Sequence, residues 1–196
     1  MKRILLFLLF LPIASLGVFA QDYNNVSVFE FEIGAGLNHG NIKDASKGEK
    51  RMLPLFFIEP RFNIKNSPLD ISWQASVGGS SIKGATKDSH VYDFDVTFLT
   101  SVFYFDYNYR KWENVSLFGG IGLGRSLVSI DDDPVDNMAL ENHECNHFES
   151  AFVFSPRVGA EFFNCIRLTA EGKIMRKYSS YYALNIGIVM GGMVKK

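Results

Sequence analysis

What this 196-residue chain lacks narrows it first. It has no excess of either charge, with 20 Lys and Arg against 21 Asp and Glu, so nothing in its balance calls for nucleic acid. Beyond Gln21 no run approaches the ~18 uninterrupted apolar residues that a spanning helix requires. A mature chain resident in a membrane must therefore be a closed barrel, because only helices and closed barrels satisfy every backbone group in lipid. No Ser/Gly linker, internal repeat or low-complexity tract divides the sequence, and the length suits one all-β barrel. The mean hydropathy of +0.03 decides nothing. A soluble globule gives that average, and so does a barrel whose lipid-facing and lumen-facing residues alternate.

The N-terminus sets the compartment. Lys2 and Arg3 precede an apolar stretch over residues 4–11, and Val18-Phe19-Ala20 places small residues at the two critical cleavage positions. This pattern predicts a secretory signal peptide over residues 1–20, cut after Ala20, and a single domain over 21–196. Gln21, not cysteine, follows the cut, so the lipoprotein signature is missing. Losing Lys2 and Arg3 leaves 18 basic against 21 acidic residues, a net charge of −3.

What is present is sustained alternation. Ile166, Leu168, Ala170 and Ile174 take one face of a segment whose other face carries Arg167, Thr169, Glu171 and Lys173. Just before it, Phe152, Phe154, Pro156, Val158, Ala160 and Phe162 oppose Val153, Ser155, Arg157, Gly159 and Glu161. Segments 26–38, 53–65, 69–80, 91–107, 115–128 and 181–193 read the same way. Period two over such lengths marks strands. Eight of them, about 12 residues each at ~3.3 Å per residue and tilted near 45°, would cross a bilayer core. The expected fold is an all-β, eight-stranded antiparallel up-and-down transmembrane barrel. Short turns at 66–68, 109–114 and 164–165 would lie on one side. Long polar loops at 39–52, 81–90 and 129–149 would lie on the other, facing outward.

Alternation does not say which face is inside, and a soluble lipocalin-like barrel binding a small hydrophobic ligand would invert the assignment. Three features favour a polar interior. The polar face carries much glycine, including Gly34, Gly36, Gly120, Gly122, Gly124 and Gly187, which suits a crowded lumen. Its charges are mixed in sign: Glu30, Glu32, Glu59, Asp70, Asp93, Asp95, Glu161 and Glu171 could pair with Arg61, Arg157, Arg167 and Lys173, as buried charges must. The apolar-face aromatics gather at strand ends. Phe29, Phe31, Phe62, Trp73, Tyr104 and Phe162 fall toward the short turns, and Tyr92, Phe94, Phe152 and Tyr182 toward the loops, as two interfacial girdles would.

The segments Glu32-Ile33-Gly34-Ala35-Gly36, Phe118-Gly119-Gly120-Ile121-Gly122-Leu123-Gly124 and Ser155-Pro156-Arg157-Val158-Gly159-Ala160-Glu161-Phe162-Phe163 resemble those of the small outer-membrane β-barrel family of Gram-negative bacteria, including PorT-like proteins and OmpX-type eight-stranded barrels. The resemblance spans about residues 22–193. It implies residence in the outer membrane, contact with its lipid, and insertion by the outer-membrane assembly machinery. That machinery favours a terminal aromatic, whereas this chain ends Met193-Val194-Lys195-Lys196.

The remaining constellations carry little chemistry. Cys145 in the third loop and Cys165 in a turn at the opposite end would lie tens of ångströms apart, beyond disulfide reach. His143, Cys145 and His147 with Asp131, Asp132 and Asp133 match no closed metal-ligand set. A rim-active enzyme would use His90 with Ser81 and Asp88, but no nucleophile–base spacing is specific. Eight strands leave no aqueous pore. The expectation is a non-catalytic barrel without cofactor or metal. Its lumen is closed by ion pairs, and its loops contact a surface or partner that the sequence does not identify.

Overall fold

Alternating residues do become strands, and the strands close on themselves. The computed structural model describes residues 27–41, 49–87, 90–110, 112, 114–134, 147–175 and 180–191, without the side chains at 41, 84–94, 130–134 and 147–148. The expected signal peptide and Cys145 lie outside these residues. The strands are β1 (Phe29–Asn41), β2 (Glu49–Arg51), β3 (Leu53–Asn63), β4 (Leu69–Lys87), β5 (His90–Tyr109), β6 (Val115–Pro134), β7 (His147–Phe162), β8 (Ile166–Met175) and β9 (Ser180–Met190). All pairings are antiparallel, and β9 returns to pair with β1. Arg51 faces Ser81 while Leu55 faces Gly78, so one extra residue separates β2 from β3 along β4. The two are one wall strand bulged near Met52. The ring therefore has eight strands in up-and-down order, as the alternation predicts.

The register fixes the shape. The Asn63 amide donates to the Val28 carbonyl at 3.0 Å, and Asn63 opposes Asp70. From there the opposed residues run through Asp106, Gly120, Arg157, Glu171 and Ala183 back to Asn38. The circuit returns to the first strand ten residues beyond Val28. That stagger over eight strands corresponds to a tilt of about 40° and an interior that side chains fill.

Prolines interrupt two ladders without breaking the wall. The β3–β4 pairing skips from Ile58↔Ala75 to Arg61↔Ser72 around Pro60, and β7–β8 skips from Phe154↔Ile174 to Arg157↔Glu171 around Pro156. Proline has no N–H to give a ladder. At the turn end the chain reverses tightly, with left-handed Asn66 in one turn and left-handed Phe163 and Asn164 in another.

The loop side differs from expectation. Residues 81–87 continue β4, and β5 begins at His90, so the predicted loop 81–90 is mostly strand. Likewise β6 runs on to Pro134, β7 starts at His147 and β1 reaches Asn41. The connections themselves, 42–48, 88–89, 135–146 and 176–179, lie outside the described residues. Polar composition suggested loops there, but a strand that has left an apolar environment needs no apolar face.

Candidate functional site: the lumen and the outer wall

The outer wall is a continuous apolar band. On β5 the outward side chains run Tyr109, Tyr107, Phe105, Phe103, Ser101 and Leu99, then turn polar at Thr97 and Asp95. From Tyr109 to Leu99, at ~3.3 Å per residue and the tilt above, the band is about 25 Å tall. Around the ring it continues through Ile33, Phe56, Val77, Ile121, Leu123, Val158, Ile186 and Ile188, all exposed. Arg125, between Leu123 and Leu127, is the charged exception among the described residues.

Aromatics edge the band at the turn end. Phe29 and Phe62 meet edge-to-face with ring centroids 5.1 Å apart, and Tyr109 and Trp112 do so at 5.4 Å. Phe31 and Phe162 are half-buried on the same outer face, and Phe152 and Tyr182 are exposed toward the loop end. Trp73 is outward and half-buried, its indole N–H donating to Ser101 Oγ at 2.8 Å. Tyr104 is not part of a girdle. It is 2 % exposed and points into the lumen, because it shares a face with Thr100 and Asp106 rather than with Phe103 and Phe105. The side chains of Tyr92 and Phe94 lie outside the described residues. Tyr107, Tyr109 and Trp112 add to the turn-end edge, and the parity of Phe103 and Phe105 carries on to Tyr107 and Tyr109.

Inside the band, the lower lumen is an ion-pair lattice. Arg61 is wholly buried and donates to Glu30 at 3.1 Å, Glu32 at 3.0 Å and Glu59 at 2.8 Å. Arg157 donates to both Glu59 oxygens at 2.7 and 2.9 Å, to Ser72 Oγ at 2.9 Å and to Asp106. Its guanidinium carbon lies 3.6 Å from the Tyr104 ring centroid. Arg167 pairs with Glu161 at 2.6 Å and stacks 4.3 Å over Phe118. Lys173 reaches Gln74 Oε1 at 2.6 Å, the Tyr104 hydroxyl at 3.1 Å and Glu171 at 3.3 Å. The Tyr104 hydroxyl in turn donates to Glu171 at 2.9 Å. At the turn end Asp70 accepts from Arg110 at 3.1 Å and from Asn108.

Glycine makes this density possible. A Cβ at Gly187 would overlap the Glu32 carboxylate, and one at Gly120 would overlap that of Asp106. Glu30, Glu32, Glu59, Arg61, Arg157, Glu161, Arg167, Glu171 and Lys173 thus converge in one lumen. Asp95 does not join them: it is exposed on the outer face beyond the apolar band. Asp93 lies two residues from it on the same strand, opposite Asp133, and its side chain is outside the described residues. Asp106 escaped notice in the sequence, though its parity with Tyr104 and Thr100 marks it as inward.

Above the lattice the lumen turns largely apolar, with Ser80, Thr100 and Ser126 buried among the apolar side chains. Leu55, Phe57, Ile82, Val96, Phe98, Val102, Val128, Ala151, Val153, Met175 and Tyr181 form one buried cluster, with Phe98 and Tyr181 stacked at 4.8 Å. Val96 and Phe98 belong to this cluster and are buried. They point inward because the outside of β5 is already polar at that height.

The other constellations stay dispersed. Ser81 opposes Asp95 on β5, whereas His90 opposes Lys87, about six residues or ~20 Å further along β4. Asp88 is outside the described residues. Among the described residues no group of three His, Cys, Asp or Glu side chains is placed to hold a metal ion. Cys165 is an exposed free thiol in the turn between β7 and β8.

No family model matches the chain, and no curated protein sequence matches it. Solved structures do. The outer membrane protein OprG from Pseudomonas aeruginosa aligns with a TM-score of 0.57 at 10% identity, over 86% of this chain and 99% of that one. Ail, the attachment invasion locus protein of Yersinia pestis, crystallised with the heparin analogue sucrose octasulfate, aligns with a TM-score of 0.50 at 14% identity over 83% and 99%. The chain has the fold of these small outer-membrane β-barrels.

Proposed function

We propose that the mature chain is a non-catalytic integral protein of a Gram-negative outer membrane. In this reading residues 1–20 direct export and are removed after Ala20, and the outer-membrane assembly machinery inserts the barrel. The observation that carries the reading is the inverted distribution of polarity: a band of exposed apolar side chains surrounds a lumen packed with ion pairs. In water that band would be a very large exposed apolar surface, far beyond what soluble monomers show. In a bilayer it is the lipid-facing surface.

The lumen network holds the wall strands together, and the aromatic edges anchor the band at the lipid interfaces. Outward contact falls to the upper lengths of β4, β5, β6 and β7, which run beyond the band, and to the segments that join them. Rigid scaffolds commonly present recognition segments in this way. Ail, a barrel of this fold captured with a heparin analogue, supports reading the projecting part as a contact surface.

Cold against boiled gel mobility of a detergent-extracted outer-membrane fraction tests the proposal. A fast cold band that slows on boiling is the expected result. Recovery in the soluble fraction with no shift would overturn it in favour of a soluble, ligand-binding barrel.

A further inference from the structure

We draw no further inference here: the strongest candidate, the buried side chains of Asn38, Ser80 and Asn185 on the lumen wall, whose polar atoms have no hydrogen-bond partner among the described residues, points to no particular ligand, because amides and hydroxyls both donate and accept and buried water satisfies them as well as any solute would.

Discussion

Arg157 on β7 and Glu59 on β3 face each other across the full width of the lumen, joined by two hydrogen bonds of 2.7 and 2.9 Å. Four strand spacings separate β3 from β7 in either direction around the ring, so the pair ties opposite walls together. Lys173 on β8 and Gln74 on β4 form a second such strut, at 2.6 Å.

Breaking the first strut should take from buried Asp106 the cation it pairs with and leave Glu59 with Arg61 alone. Arg157→Met is expected to cost about 3–5 kcal/mol, read as a shift of the urea midpoint for unfolding from lipid vesicles. Arg157→Lys should also be destabilised, because an ammonium cannot reproduce the two-pronged contact. Adding Glu59→Gln to Arg157→Met should cost less than the sum of the single changes, since the two residues share the interaction. Strict additivity would argue against the strut.

Outward charge should be penalised by depth. Phe103→Arg, within the band, should destabilise by about 2–4 kcal/mol, and Thr97→Arg, at its polar edge, by about 0–1 kcal/mol. The same vesicle unfolding assay reads both. Equal costs at the two positions would contradict a lipid-facing band.

The lumen should not conduct. The ion-pair lattice and the Phe98–Tyr181 plug occlude it at two successive heights. Planar-bilayer recordings of the wild type should therefore show no stepwise conductance, and discrete, reproducible steps would show that the plug moves. Phe98→Ala should still fold while losing about 3–5 kcal/mol.

Shortening the β6–β7 connection should separate contact from insertion. Replacing residues 135–146 by a short turn leaves both strands complete to Pro134 and from His147. The cold–boiled mobility shift should persist while any surface-binding activity falls. Loss of the shift would assign that segment to barrel assembly instead.

Much of this was legible in the chain because extended backbone has only two faces. The alternation through Glu30, Glu32 and Arg61, and through Arg157, Glu161, Arg167, Glu171 and Lys173, is itself the list of lumen residues. Tyr104 was misread because an aromatic ring is compatible with lipid and with a guanidinium lattice alike. Only Arg157 stacked on one side and Glu171 bonded to its hydroxyl distinguish the two.

By itself the sequence determined strand, period and the pairing of polar with apolar faces, because these follow from local backbone geometry. Tertiary structure decided which face is inside at each height. On β5 the inward positions are Asp106, Tyr104, Val102 and Thr100 within the band and then Phe98 and Val96 above it, while the outward ones pass from Phe103, Ser101 and Leu99 to Thr97 and Asp95. No bulge in the β5–β6 pairing marks the change. The polarity of a face answers to what surrounds it, and that medium changes along one unbroken strand where the apolar band ends.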